Sequence, residues 1–193
     1  MIKIGVTGGL GSGKSVVSNL LQINGIPVYN SDTEAKRLMN TSNTIRRKIV
    51  DLLGDSSYSD SQLNRSYVAQ RVFGDTDMLR QLNAIVHPEV RKDFLQWSSI
   101  QNRDIVAIES AILFESELSP LLDKIVVVSA PIELRIARVL ARDGLSEEQI
   151  RLRIEAQMDD ETRECLADFV VVNDRSRAII PQINQILKEL RNS

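Results

Sequence analysis

A glycine-rich segment close to the start of the chain constrains the fold more than any other feature. It reads Gly8-Gly-Leu-Gly-Ser-Gly-Lys14-Ser15 and fits the pattern G-x-x-x-x-G-K-[ST]. Residues 2–6 before it have the apolar alternation of a short β-strand, and residues 16–21 after it repeat apolar side chains at helical spacing. A strand, a glycine turn and a helix in this order predict a phosphate-binding loop.

The chemistry of such a loop follows from its backbone. Glycines let the chain curl so that successive N–H groups point inward and bind an anion at the start of a helix. Lys14 would reach the β- and γ-phosphates of a nucleotide, and the Ser15 hydroxyl would ligate a metal ion. We therefore predict bound nucleotide phosphates and Mg²⁺ at this loop, and a glycine-rich turn without a ligand is the alternative. The predicted phosphate contacts in this segment are Gly9, Gly11, Ser12, Gly13, Lys14, Ser15 and Val16.

Length and composition narrow the class of protein. The 193 residues suffice for one hydrophobic core with a smaller insertion, and a formal net charge of −2 shows no nucleic-acid footprint. The single cysteine, Cys165, cannot form an intramolecular disulfide, and no apolar run approaches the ~20 residues of a membrane span. We expect the chain to open on its first strand, without a leader. We expect a cytoplasmic enzyme without membrane or nucleic-acid partners, a monomer or a weak homo-oligomer.

Five segments read as short buried strands. The third and fourth are nearly all apolar, as parallel strands covered on both faces require. Helical patterns separate the strands, which predicts the α/β class: a parallel sheet of the P-loop NTPase type, flanked by helices and joined by right-handed crossovers. A final helix is predicted over residues 175–191. The predicted strands are 2–6, 26–29, 104–108, 124–128 and 169–172.

Two excursions interrupt this pattern. Residues 31–103 show helical patterns and no convincing strand, and they read as a helical insertion that binds the acceptor substrate. Residues 143–166 read as a lid, with a helix over 147–157 that Ser146 and Gln149 can cap. The core is then 1–30, 104–142 and 167–193. Helices of the insertion are predicted at 31–40, 43–53, 62–73, 75–86 and 88–101, with breaks at Gly54, Gly74 and Pro88.

Asp32 follows the second strand, at the edge of the sheet where ligands of open α/β folds collect. A carboxylate there could accept the proton of an attacking hydroxyl or help to organise Mg²⁺. The alternative is helix capping, with Ser31 and Glu34 as a capping box and Asp32 complementing the helix dipole. Capping leaves Asp32 optional, so we favour the catalytic role.

A row of arginines follows the fourth strand. Arg135, Arg138 and Arg142 share one stripe of a predicted helix that leads into the lid. Guanidinium groups bind phosphate oxygens two at a time, which suits contact with a transferring phosphoryl group. The alternative is a solvated face that pairs with Glu133 or the lid glutamates. We expect the solvated face for Arg135, and both interpretations stay open for Arg138 and Arg142.

Two other features of the sequence, a lone histidine and a D-x-x-G segment, each have a possible functional interpretation. His87, the only histidine, precedes Pro88, and we assign it to substrate binding before acid–base chemistry because phosphoryl transfer needs little beyond positioning and charge.

The segment Asp51-Leu-Leu-Gly54 formally matches the D-x-x-G motif of switch GTPases. This segment lies at the end of an amphipathic helical run, however, so Gly54 is better interpreted as the C-cap of that helix. No N-K-x-D segment accompanies it.

Three segments of the first half resemble the dephospho-CoA kinase family. Thr7–Ser15 matches the family's T-G-G-x-G-S-G-K-S. The family's Asp-x-Asp after the second strand is represented by Asn30-Ser31-Asp32, which keeps the second carboxylate and has an amide at the first. The N-x-x-x-H-P segment is met by Asn83-Ala-Ile-Val-His87-Pro88.

The resemblance continues through the second half of the chain. Ala111-Ile-Leu-Phe-Glu115 stands for the family's P-L-L-F-E, and Glu109 stands for an Asp just before it. Arg138–Asp143 matches R-x-x-x-R-D, and Arg153–Gln157 matches R-I-x-x-Q. Asn173 corresponds to an asparagine before the last helix. The His-Pro segment together with R-I-x-x-Q distinguishes this family from other small kinases.

The resemblance implies transfer of the γ-phosphoryl group of ATP to the ribose 3′-hydroxyl of dephospho-CoA, the last step of coenzyme A synthesis. It implies catalytic roles for Asp32, Lys14 and Arg142, and nucleotide contacts at Arg138, Arg142 and Asn173. The alternatives are a nucleoside, nucleotide or shikimate-type kinase, and, from another class, a nucleotide-binding switch. The implied substrate contacts are Asp32, His87, Glu109, Leu113 and Arg138.

Overall fold

The computed structural model describes residues 1–192, and the chain forms two compact units. The first unit comprises Met1–Tyr29 and the chain from Gln101 onward, and the second comprises Asn30–Ile100. No helix of residues 1–192 is both long and apolar enough to cross a lipid bilayer. The strands are β1 (Ile2–Thr7), β2 (Val28–Asn30), β3 (Tyr58–Ser59), β4 (Gln62–Leu63), β5 (Ile105–Glu109), β6 (Lys124–Ser129) and β7 (Phe169–Val172).

The five predicted strands form one sheet in the order β2-β5-β1-β6-β7, which confirms the predicted α/β class. Strand β1 lies in the middle, pairs in parallel with β5 and β6, and β6 pairs in parallel with β7. The strands on either side of β1 are buried, as their apolar sequences require. The carboxyl end of the central strand therefore leads directly into the glycine-rich loop.

Nine helices accompany the strands of residues 1–192, and the core of the first unit lies between its sheet and its helices. Ile4 and Val6 of β1 pack there with Val17, Ile183 and Leu187. The helices are α1 (Lys14–Ile23), α2 (Ser31–Thr41), α3 (Asn43–Leu53), α4 (Arg65–Val72), α5 (Thr76–Ser99), α6 (Ile132–Asp143), α7 (Glu147–Glu155), α8 (Asp160–Cys165) and α9 (Ile179–Arg191).

The predicted helix break at Pro88 is wrong, because α5 runs without interruption from Thr76 to Ser99. A proline inside a helix removes one backbone hydrogen bond and crowds the preceding turn. Here a continuous buried stripe on both sides of Pro88 outweighs that cost, because it packs on α2 and α3. The stripe consists of Leu82, Val86, Val90, Phe94 and Ser98.

The prediction of an insertion without strands is also wrong. Strands β3 and β4 form a small antiparallel hairpin, so the helix predicted from residue 62 begins only at Arg65. Asp60 and Ser61 connect the two strands with φ values of 48° and 66°. Two left-handed residues in succession are typical of the tightest hairpin turns. Neither residue is glycine, and the hairpin therefore left no glycine signal in the sequence.

The two remaining helix predictions are right in kind and differ at their ends. Helix α7 begins with the predicted capping box between Ser146 and Gln149. It packs down through Ile150, which is fully buried against Ile136 and Val139 of α6. The last helix begins at Ile179, later than predicted, because Asp174 accepts hydrogen bonds from the Ser176 backbone and hydroxyl in a turn.

Candidate active site

The glycine-rich loop has the backbone that its sequence predicts. Gly11 and Gly13 have φ values of 78° and 101°, a left-handed region that favours glycine. Gly13 is the N-cap of α1, so the loop leads straight into the start of a helix. A Cβ atom on Gly13 would lie 2.2 Å from Nδ2 of Asn173. Glycine is thus required there for backbone conformation and for close packing.

Lys14 lies folded over this loop. Its Nζ donates hydrogen bonds to the carbonyl oxygens of Gly8 at 2.9 Å and Gly9 at 3.3 Å. The ammonium group is therefore held at the loop backbone. Ser15 and Val16 follow in the exposed first turn of α1.

Three buried hydroxyl groups around the loop have no hydrogen-bond partner within residues 1–192. They belong to Thr7 at the end of β1, Ser12 in the loop and Ser18 in α1. Buried polar atoms are almost always paired, and an exception needs an explanation such as a bound ion or water. The unpaired Ser12 hydroxyl fits a loop whose polar groups serve a bound anion.

Arg138 and Asn173 close the loop from the other side. Arg138 Nη1 donates to the carbonyl oxygens of Gly11 and Ser12 at 3.3 and 3.2 Å, and its Nη2 donates to Oδ1 of Asn173 at 3.1 Å. Asn173 in turn donates through Nδ2 to the carbonyl oxygen of Ser12 at 2.7 Å. Burial lowers the pKa of Arg138, and nearby Arg175 adds to this effect. Arg138 is therefore part of the loop's support, and the solvated-face alternative fails for it.

The expectation of a solvated face is wrong for Arg135. Its side chain is only 2% exposed and forms an ion pair with Asp160. The spacing of arginines on one helical stripe could not reveal this, because the partners come from the loop and from α8. The expected pairing with Glu133 and the lid glutamates is made by Arg151 instead, which lies near Glu133 and Glu147.

Arg142 lies at the exposed end of the same helix, and its side chain is 63% exposed. Its Nε and Nη2 donate to the two carboxylate oxygens of Asp143 at 2.6 and 2.8 Å. This hydrogen bonding raises the pKa of Arg142 and lowers that of Asp143. A catalytic role for Arg142 stays a prediction, and it would require the guanidinium to leave Asp143.

Two candidate substrate residues lie near the end of β5. Glu109 is the last residue of that strand and is half-buried, in register with Val6 of β1. Leu113 is fully buried and packs against Gly5, where a Cβ atom would lie 2.5 Å from its Cδ1. The packing of Leu113 is that of a core residue and does not support the predicted contact of its side chain with substrate. The Glu109 contact stays a prediction.

In the second unit, Asp32 lies in the exposed first turn of α2. The predicted capping box of Ser31 and Glu34 is wrong, because Asn30 is the N-cap and its Oδ1 accepts from the Thr33 backbone N–H at 2.9 Å. Ser31 is buried and is already the first residue of the helix, so it does not occupy the cap position. Glu34 pairs with Arg37. The cap is thus supplied without Asp32, which retains only a favourable position near the helix dipole.

His87, the other candidate of the second unit, lies half-buried in the middle of α5, one residue before Pro88. It belongs to the same compact unit as Asp32. Its role in substrate binding stays a prediction.

Sequence reasoning missed two residues that pack around the buried guanidinium of Arg135. Asp160 is the first residue of α8 and Arg163 is the fourth. The side chain of Arg163 is 2% exposed. The only signal was their separation of three residues, which suits an ion pair along a helix. In a segment rich in charged residues, that signal did not distinguish a buried arginine from a solvated one.

A parallel sheet with a glycine loop after its central strand, a lysine folded over that loop and supporting arginines defines a P-loop kinase. Among solved structures, the chain is similar to TT1252 from Thermus thermophilus, with a TM-score of 0.84, 34% identity and coverage of 99% and 96% of the two chains. A shikimate kinase from Acinetobacter baumannii shares the fold at a TM-score of 0.55, 18% identity and coverage of 100% and 94%.

The family model for dephospho-CoA kinase matches residues 2–178. The dephospho-CoA kinase of Bacteroides fragilis is 46% identical over 187 residues, which cover 96% of this chain and 91% of that protein. The Porphyromonas gingivalis protein of the same name is 44% identical, with coverage of 99% and 95%. The chain belongs to the dephospho-CoA kinase family. It is a kinase of coenzyme A biosynthesis, and the shikimate-type alternative is not favoured.

Proposed function

We propose that the protein transfers the γ-phosphoryl group of ATP to the ribose 3′-hydroxyl of dephospho-CoA with the residues described above. The acceptor oxygen attacks the γ-phosphorus, its proton passes to Asp32, and ADP departs. The observation that carries the proposal is the loop itself, which leads into the N-terminus of α1 and contains both the folded-over Lys14 and the unpaired Ser12 hydroxyl. Anions bind at such helix starts because backbone N–H groups and the helix dipole both favour negative charge.

In this proposal each basic group acts on a different part of the nucleotide. Lys14 exchanges its bonds to the Gly8 and Gly9 carbonyls for the β- and γ-phosphates. Arg138 and Asn173 maintain the loop and border the nucleotide, and Arg142 turns from Asp143 toward the transferring oxygens. Charge on those oxygens spreads in the transition state, where a planar guanidinium binds better than an ammonium.

Mg²⁺ is proposed to enter with the nucleotide, with Ser15 as its protein ligand. Within residues 1–192, no group of three or more histidine, cysteine, aspartate or glutamate side chains could hold a metal ion. The proposed ligand is one hydroxyl oxygen, and Mg²⁺ usually keeps several waters and binds through few protein ligands plus substrate phosphates. When bound, the ion neutralises negative charge on the β- and γ-phosphate oxygens.

Asp32 is proposed as the base because its exposed carboxylate is not needed for the helix cap, which Asn30 supplies. Phosphoryl transfer requires mainly positioning and electrostatic stabilisation, with one residue that accepts the hydroxyl proton. His87 and Glu109 are proposed as contacts for the acceptor. A cytoplasmic location and a monomeric state complete the proposal.

The decisive experiment measures ADP release with one acceptor at a time. We expect release with dephospho-CoA, and none above background with shikimate, adenosine or AMP. The product should carry its new phosphate on the 3′-hydroxyl, which phosphorus NMR of the isolated product distinguishes from other positions. Equal turnover with shikimate would refute the assignment, and tight retention of the nucleotide without an acceptor would support a nucleotide-binding switch.

A further inference from the structure

Arg135 contacts three consecutive residues of the phosphate-binding loop. Its Nε donates to the carbonyl oxygen of Leu10 at 2.8 Å. Its guanidinium lies so close to Gly9 that a Cβ atom there would be 2.2 Å from Nη2. Its own carbonyl oxygen would lie 2.5 Å from a Cβ on Gly11. One residue of α6 therefore borders the loop from Gly9 to Gly11 with its side chain and its backbone.

The same guanidinium is held from behind by α8. Asp160 binds Arg135 through Oδ2 and Arg163 through Oδ1, so one carboxylate is shared by two arginines that are each 2% exposed. Arg163 also donates to the carbonyl oxygen of Met158. Burial lowers the pKa of Arg135, while the charge of Asp160 opposes that effect. The cluster keeps an excess of one positive charge immediately behind the loop.

A second contact joins the loop to the same part of the chain. Oε1 of Gln157 accepts a hydrogen bond from the backbone N–H of Leu10 at 2.9 Å. Both polar groups of the Leu10 backbone are therefore bound, its N–H by Gln157 and its carbonyl by Arg135. Leu10 itself packs against the small apolar cluster of α6 and α7. Gln157 and Arg135 thus hold the loop at a single residue, one at its N–H and the other at its carbonyl.

Stability alone does not explain this arrangement. Well-packed apolar residues often stabilise a fold as much as a buried ion pair does, because the charges lose their hydration. A loop built from four glycines, in contrast, has great conformational freedom unless its surroundings restrict it. The hydrogen bond from Arg135 to Leu10, and the close packing of Arg135 on Gly9 and Gly11, restrict the part of the loop that lies before Lys14.

We propose that Arg135 is a positioning residue for phosphoryl transfer. It holds Gly9–Gly11 in the shape that binds phosphate and, through Asp160, couples that shape to residues 157–163. This inference rests on the proposed nucleotide-binding role of the loop. Without Arg135 the loop samples other conformations, and the apparent dissociation constant of a nucleotide rises in inverse proportion to the population of the binding shape.

The test compares Arg135→Met with Arg163→Met. Both variants lose a buried guanidinium bonded to Asp160, but only the first loses contacts to the loop. Calorimetric titration of folded protein with ADP should show binding about tenfold weaker for Arg135→Met and within about threefold of the unmodified chain for Arg163→Met. In the kinase assay, Arg135→Met should raise KM for ATP and leave KM for dephospho-CoA nearly unchanged.

Equal effects of the two variants on ADP binding would overturn the proposal, since Arg135 would then serve stability alone. If Arg135→Met does not fold, Arg135→Lys replaces it: it keeps the buried charge, lacks the Nε–H that binds Leu10, and should still weaken ADP binding relative to Arg163→Met. Normal ADP binding by Arg135→Lys would then overturn the proposal. If the unmodified chain itself binds no ADP, the proposed function fails first, so the two failures are distinguishable.

Discussion

The phosphate-binding loop and the start of α2 carry the two halves of the proposed chemistry, and they are held in opposite ways. The loop receives hydrogen bonds from Arg135, Arg138 and Asn173, residues more than a hundred positions away. Asp32 lies exposed in the first turn of a helix whose cap, Asn30, is two residues away. One region is shaped by distant parts of the chain and the other by its neighbours.

The difference follows from what each region must do. A nest of backbone N–H groups binds phosphate only if its shape is maintained before the ligand arrives, since reorganisation would be paid out of binding energy. A base needs only a reachable, ionised oxygen at the moment of transfer. We therefore expect mutations to affect nucleotide binding through several supporting residues, and proton transfer through one carboxylate.

The largest expected effect is that of Asp32→Asn, which removes the base without removing the helix cap. Asparagine cannot accept the proton of the acceptor hydroxyl, so kcat should fall on the order of 10²–10⁴. Stability should change by no more than about 0.3–1 kcal/mol, the value of a carboxylate near a helix start. Steady-state kinetics and urea unfolding of the same preparation measure both quantities.

Asp77→Asn is the matched control for this variant. Asp77 is the second residue of α5, as Asp32 is of α2, and its helix is likewise capped by the preceding side chain, here Asp75. The control should leave kcat unchanged. A near-normal kcat in Asp32→Asn would reduce Asp32 to a helix-start residue.

Lys14→Ala probes the other region and ranks second. The substitution removes the ammonium at the phosphates, and a loss on the order of 10²–10³ in kcat/KM is expected for such a stabiliser. The fold should persist, because Lys14 is not a core residue. Lys188→Ala removes an equal charge from the exposed face of α9 and should be neutral. Retention of turnover within about threefold would contradict the loop assignment.

Arg142→Lys should produce an intermediate effect, because lysine keeps the charge and loses the planar fork. Losing one charge-assisted hydrogen bond of about 1.5 kcal/mol corresponds to roughly tenfold in kcat, with ADP binding less affected. Pre-steady-state measurement of phosphoryl transfer isolates that step. Arg151→Lys, in the exposed ion pair with Glu147, is the control. An unchanged rate in Arg142→Lys would leave Arg142 as the surface partner of Asp143.

Asn30→Ala should have the smallest effect, a loss of about 1 kcal/mol of stability from the missing helix cap. Asn30→Asp should retain that stability, since either side chain supplies an oxygen for the Thr33 N–H. Urea unfolding of the two variants side by side makes the comparison. If Asn30→Ala unfolds at the same urea concentration as the unmodified chain, the local cap does not hold this region.

Local patterns in the sequence were sufficient to predict the phosphate-binding loop, most secondary-structure elements and the fold class. The motif Gly8–Ser15, the five apolar strands and the amphipathic helices each depend on residues close together, where backbone preference and side-chain periodicity act directly. The same holds for the capping box of Ser146 and Gln149, which the structure confirms. The structure differed from the prediction where local signals competed. At Pro88, for example, burial on both sides of the proline keeps α5 intact.

Only the tertiary structure decided what surrounds the loop. Arg135 has the spacing of a surface arginine, yet the residue that accepts its Nε–H is 125 positions away. Asn173 and Ser12 are separated by 161 positions and bonded at 2.7 Å. Such contacts arise because parallel strands bring their carboxyl ends to one edge of the sheet, whatever their distance along the chain. The sequence by itself determined which residues form the loop; the sheet decided which residues hold it.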